Sequence, residues 1–173
     1  YDQAVSRASD SLSYVYRLDE KYWLMMLDSC MCEPVHETGG KLSEETVAWM
    51  KTQLEEAKKQ GVTVIPVSHH NLLDESTLYP EECTIENTKE VTALLEAYGV
   101  PVYLSGHLHL QRIKKHTSNL NTPGGYGIRE IVTSPLPMAP CQYSILNWQT
   151  DGSLSYHTKK VDIAGWAQRY GEE

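Results

Sequence analysis

Twice in this chain a segment of helical period ends at a glycine, gives way to a short run of β-forming apolar residues, and empties into histidines. The first pass starts at Ser43, crosses Gly61 and Val62-Thr63-Val64-Ile65-Pro66-Val67, and arrives at Ser68-His69-His70. The second starts at Asn87, crosses Gly99 and Val100-Pro101-Val102-Tyr103-Leu104, and arrives at Ser105-Gly106-His107-Leu108-His109. Helix–strand–helix–strand order implies an α/β layer with neighbouring parallel strands covered by helices. Parallel strands end at one edge, and ligands of such sheets collect at the carboxyl edge, where loops converge. Histidines far apart in sequence thereby become neighbours in space.

The elements carry their own punctuation. Residues 43–60 predict a helix with Ser43 as N-cap, Glu44 and Glu45 at the positive end of the dipole, and Lys58 and Lys59 at the negative end. Val47, Met50, Leu54 and Ala57 share one face, and Gly61 is the expected left-handed stop. Residues 87–98 predict a second helix, with Asn87 and Glu90 as a capping box and Val91, Leu94, Leu95 and Tyr98 as the apolar face. Upstream, residues 12–18 and 22–28 read as a hairpin turned at Asp19-Glu20-Lys21, its second strand buried. After residue 110 the chain turns to β character around Ile113, Ile128, Ile131 and Val132, with a loop at Pro123-Gly124-Gly125. Gln142–Trp148 and Leu154–Thr158 predict a hairpin turned at Asp151-Gly152, and Ile163–Tyr170 a short helix. No repeat, low-complexity tract or linker divides the 173 residues, a length that suits one domain.

Composition narrows the partners. A net charge of -8 argues against broad electrostatic binding to nucleic acid or anionic lipid. It leaves room for a small anionic substrate, because a bound cation reverses the local field. No apolar run is long enough to span a membrane. Cys30 and Cys32 stand too close for an ordinary disulfide, and no C-x-x-C spacing occurs. Free, buried thiols are expected at Cys30, Cys32, Cys83 and Cys141. The compartment stays open: cytoplasmic, or extracytoplasmic after removal of an upstream signal.

His69, His107 and His109 are the candidate metal ligands, with His70 adjoining them. In extended chain His107 and His109 point to the same side, at a separation that suits two ions about 3.5–4 Å apart. Gly106 is expected to permit a sharp turn there. Imidazole suits zinc, iron, manganese, cobalt or nickel. A single histidine after a strand is ordinarily a loop residue; the two sets at equivalent strand ends are what favours coordination. His36, His116 and His157 lack that setting and read as surface residues.

Ser68-His69-His70 followed by Gly106-His107-Leu108-His109, each after a buried strand, resembles the calcineurin-like metallophosphoesterase family, which includes purple acid phosphatases and bacterial cyclic-nucleotide phosphodiesterases. Leu27-Asp28-Ser29, Gly40-x-Leu42 and the helix bearing Trp49 look like the segment that precedes the histidine strand in the bacterial members. The resemblance covers most of residues 13–110. It implies an α/β fold: the C-terminal half of a four-layer α-β-β-α sandwich, one mixed sheet with flanking helices. It also implies metal-assisted hydrolysis of a small phosphate ester or cyclic nucleotide, with two divalent transition ions (Mn, Fe, Zn, Co or Ni) in the intact protein. By the same resemblance His69 and His107 share one ion and His109 reaches the other. His70 either faces substrate or supports the loop, and support is the preferred reading, since Asn71 stands where many relatives have proline.

The departure from the pattern is large. The family's D-x-H, G-D-x-x-D and G-N-H motifs, which carry the bridging carboxylate and the leaving-group histidine, do not occur here. Residues 1–173 are accordingly expected to be the C-terminal portion of a single metallophosphoesterase domain. At most one weakly held ion and little turnover are expected from this chain alone, and association of copies through an exposed sheet face. Asp28 reads as a strand-end cap rather than a replacement carboxylate. Loops at 30–40, 72–86 and 115–127 are expected to border the pocket. Two other readings stand beside this one. His107-Leu108-His109-Leu110-Gln111 resembles the H-x-H-x-Q form of histidine-triad nucleotidyl transferases, and the chain could serve as a non-catalytic interaction module.

Overall fold

The computed structural model describes residues 1–32, 37–74, 80–117 and 127–171. In chain order the elements are β1 (Ser6–Arg7), β2 (Tyr14–Arg17), β3 (Tyr22–Leu27), α1 (Glu44–Gln60), β4 (Thr63–Ser68), α2 (Pro80–Cys83), α3 (Thr88–Ala97), β5 (Val102–Ser105), β6 (Arg112–Lys115), β7 (Arg129–Val132), β8 (Gln142–Trp148), β9 (Leu154–Lys160) and α4 (Ile163–Tyr170). A seven-stranded sheet takes the order β1-β2-β3-β4-β5-β7-β6, and β8 and β9 form a separate hairpin. β3, β4, β5 and β7 are parallel neighbours, with antiparallel pairs β1–β2, β2–β3 and β6–β7 toward the two edges. The result is a mixed α/β sheet with helices on one face, the architecture expected for a metallophosphoesterase half.

α1 forms where its signals place it. Ser43 Oγ accepts the Thr46 amide at 2.9 Å, and Gly61 closes the helix in the left-handed region at φ 69°. Val47, Met50, Leu54 and Ala57 are buried against Trp23, Met25, Leu27, Val64 and Tyr103 of the sheet. Burying Val47, Met50 and Leu54 contributes about 1.5–3 kcal/mol each, and the Ala57 methyl about 0.8 kcal/mol. α3 adds Val91 and Leu95, with Leu94 and Tyr98 partly buried.

Asn87 departs from expectation. It makes no side-chain cap on α3. Its Oδ1 accepts the Leu42 amide at 3.2 Å and its Nδ2 donates to the Leu42 carbonyl at 2.9 Å, so its amide is spent joining the approaches to α1 and α3. Bridges extend that seam: Cys30 pairs with Gly40, Gly40 with Ile85, and Asn71 with Thr84. The short α2 and β1 carry no periodic signal and are found only in the structure.

The opposite sheet face is partly roofed rather than bare. Ile65, Val102 and Ile131 are buried there, with Tyr22, Leu24 and Leu104 half-covered by Leu146, Trp148, Leu154 and Tyr156 of the β8–β9 hairpin. Tyr22 and Trp148 stack with ring centroids 4.9 Å apart. The thiols are free as expected, but only Cys83 is buried; Cys30 and Cys32 are exposed and Cys141 lies between. Exposed loops have too little surrounding chain to cover a thiol. His157 is exposed, whereas His116 is half-buried and pairs with Glu96 at 2.8 Å. His36 and the Pro123-Gly124-Gly125 loop lie outside the described residues.

Candidate metal centre

β4 and β5 are parallel, so Ser68 and Ser105 end them at one edge, and β3 ends there too at Leu27. That shared edge brings His69 and His107 together: His69 Nε2 and His107 Nδ1 are 2.8 Å apart. In the ion-free chain one of these rings donates and the other accepts. Two nitrogens bound tetrahedrally to one zinc-sized ion sit about 3.3–3.4 Å apart. The pair needs only a small opening to take a cation between them. With His70 included, three ring nitrogens fall within 4.8 Å of one another.

His70 is nevertheless committed elsewhere. Its Nε2 lies 3.0 Å from the Thr38 carbonyl, an acceptor only, so Nε2 carries the proton and donates. Its Nδ1 is then left to accept the Ser29 hydroxyl at 2.8 Å, and Ser29 Oγ in turn accepts the His70 amide at 3.3 Å. No ring lone pair of His70 is left for a cation. Gly40 makes room for this arrangement: a Cβ there would stand 2.4 Å from His70 Cγ. Support of the loop is the role these contacts describe.

The segment after β5 is not extended, which corrects the alternation argument. His107 and His109 both take positive φ, 63° and 54°, and the Leu108 amide closes a tight turn on the Gly106 carbonyl at 2.8 Å. Non-glycine residues rarely enter this region, and strain of this kind gathers at functional sites. Gly106 itself has no positive φ, and a Cβ there would meet only the His69 carbonyl oxygen, at 3.8 Å. The sharp turn thus belongs to His107, not to Gly106. His109 is exposed and stands outside the group formed by His69, His70 and His107.

Electrostatics suit neutral imidazole, the form that coordinates metals. Burial lowers the pKa of His107, and the neighbouring His70, His69 and His109 push the same way against a weak opposing effect of Glu82. Burial also lowers that of His70, opposed by its bond to Thr38 and aided by His69. Asp28 takes the capping role: its carboxylate accepts the amides of Leu12 and Cys30, each at 3.3 Å. Cys30 is exposed at the surface, but partial desolvation of its thiol, then Asp28 and Cys32, raise its pKa, which keeps it a poor ligand. Gln111 does not complete a histidine triad. Its amide donates to Ser144 Oγ at 2.8 Å and to Tyr156 Oη, both in the hairpin.

Sequence reasoning passed over Glu130 and Thr38, and it noted Ser29 and Gly40 without their contacts to His70. Glu130 is fully buried. A signal for it existed: it sits at alternate spacing between Ile128 and Val132, which puts a carboxylate in a core register.

No protein-family model matches the chain. No curated protein matches it. Solved structures do, among them the crystal structure of a dimetal phosphatase from Danio rerio, with a TM-score of 0.55, 14% identity, and coverage of 72% of this chain and 50% of that one. At that identity the likeness is one of fold, and this chain spans about half the length of the phosphatase.

Proposed function

We propose that this chain contributes the histidine side of a metal-dependent phosphoester hydrolase, with His69 and His107 holding one divalent transition ion. The single observation that carries this reading is the 2.8 Å approach of His69 Nε2 and His107 Nδ1 across parallel strand ends. The fold likeness to a dimetal phosphatase supports it. Coordination by His69 and His107 suits zinc, manganese, iron, cobalt or nickel. Such an ion supplies Lewis acidity toward a phosphoryl oxygen and toward water. His70 orients: pinned by Ser29 and Thr38, it backs the loop that presents His69. His109, exposed beside the pair, is the residue this reading places toward a second ion. With a net charge of -8, a bound cation would reverse the local field in favour of an anionic ester.

The test is a titration of the chain with Co²⁺ or Zn²⁺, with phosphatase and phosphodiesterase turnover of nitrophenyl esters followed alongside. One site is expected, lost in His69→Ala and in His107→Ala and retained in His70→Gln, with little turnover. A chain that binds neither ion, or whose affinity survives His69→Ala, sinks the proposal.

A further inference from the structure

Glu130 sits in β7, yet its carboxylate reaches both histidine loops. Oε1 accepts the Leu72 amide at 2.7 Å and Oε2 the Leu73 amide at 2.6 Å, both on the loop that follows His69 and His70. Oε1 also accepts the hydroxyl of Ser105 at 2.6 Å, and Ser105 is the last residue of β5, just ahead of Gly106-His107. Asn71 ties the same two segments, donating from Nδ2 to Ser105 Oγ at 2.9 Å and to the Gly106 carbonyl at 3.2 Å. The Gly106 amide completes the join on the His69 carbonyl at 3.1 Å.

A buried carboxylate is costly unless donors fill its lone pairs. The donors named here come from both loops, so these bonds form together only when the loops stand at one separation. The same separation sets how closely His69 and His107 approach. We propose that Glu130 is a positioning residue that fixes the spacing of the two histidine loops and, through it, the alignment of the His69–His107 nitrogen pair. The role rests on reading that pair as a metal site, but the geometry it governs exists without the ion. A glutamine in its place keeps the shape, yet turns an N–H group toward the amide of Leu72 or Leu73 and so sets donor against donor.

The test compares the full chain with Glu130→Gln, Ser105→Ala and, as a control, Met50→Ala, which opens a cavity beneath α1 and lowers stability away from the site. Two quantities are read: Co²⁺ affinity by titration, and, in the ion-free chain, the imidazole ¹⁵N correlation across the hydrogen bond between His69 and His107. Glu130→Gln is expected to weaken Co²⁺ binding about 10–100-fold and to erase the correlation. Ser105→Ala, which removes the Ser105–Glu130 bond and the Asn71–Ser105 bond but leaves the Leu72 and Leu73 amides on Glu130, is expected to move both in the same direction by less. Met50→Ala is expected to move neither. If Glu130→Gln does not fold, Ser105→Ala decides alone. The proposal is overturned if the clamp variants keep both wild-type affinity and the correlation, or if Met50→Ala loses as much as they do. A wild-type chain that binds no Co²⁺ would refute the metal reading, while the ion-free correlation would still decide the positioning role.

Discussion

The loops that follow β4 and β5 deliver histidines to the same edge by opposite means. In the first, Ser68, His70, Asn71, Leu72 and Leu73 are buried while His69 among them is exposed. Its polar groups are bonded across the fold: His70 to Ser29 and Thr38, Ser68 Oγ to the Tyr103 hydroxyl that donates to it at 2.7 Å, Leu72 and Leu73 to Glu130. In the second, Gly106, His107 and Leu108 are half-buried, His109 and Leu110 are exposed, and two histidines occupy the left-handed region. One loop is ordered by long-range hydrogen bonds; the other holds a locally strained shape between anchors at Ser105 and Gln111. The lesson concerns the histidines. The best-buried imidazole is the one whose nitrogens are already taken, and the accessible ones, His69 and His107, keep the capacity to coordinate.

The contrast can be tested by substitution. The largest effect belongs to the crowded loop. Gly40→Ala places a methyl against the His70 ring and is expected to destabilise the chain toward the upper end of about 1–3 kcal/mol, read as a lower urea midpoint at constant m-value. Ser29→Ala leaves His70 Nδ1 and its amide without their partner, and a loss of about 1–2 kcal/mol is expected in the same assay. The strained loop predicts the opposite sign. His109→Gly releases a left-handed side chain and is expected to leave stability unchanged or raise it by up to about 1 kcal/mol; a fall in the unfolding midpoint would remove the strain assignment. Smallest of all is Gly106→Ala, expected within about 0.5 kcal/mol of wild type, because a Cβ there finds ordinary contact and no positive φ. A severe loss at Gly106 would show that the second loop is as tightly packed as the first.

Much of the frame was legible because it is local. The N-cap at Ser43, the stop at Gly61 and the apolar stripe of α1 are short-range signals, and all are realised. The parallel pairing of β4 and β5 followed from helix–strand order, and with it the common edge for His69 and His107. What escaped depends on partners distant in sequence. Asn87 had a sound local use as a cap, yet both ends of its amide found Leu42 instead. The turn at His107 could not be read from Gly106, because backbone twist is set by what the loop must reach. Glu130 drew no reading from the sequence, although an acid flanked at alternate positions by Ile128 and Val132 stands in a core register.

The seam joining Cys30 to Gly40, Gly40 to Ile85 and Asn71 to Thr84 has a kinetic consequence. Each bridge closes a loop of the chain, and closure entropy must be met before the contact returns any energy. The loops differ in length: Gly40 to Ile85 spans α1 and β4, whereas Cys30 to Gly40 and Asn71 to Thr84 are short, so the long contact is the costliest of the three to close. With only β3 and β4 paired, His107 has not yet been brought to His69, so their approach depends on β5 joining the sheet and not on the first parallel pair.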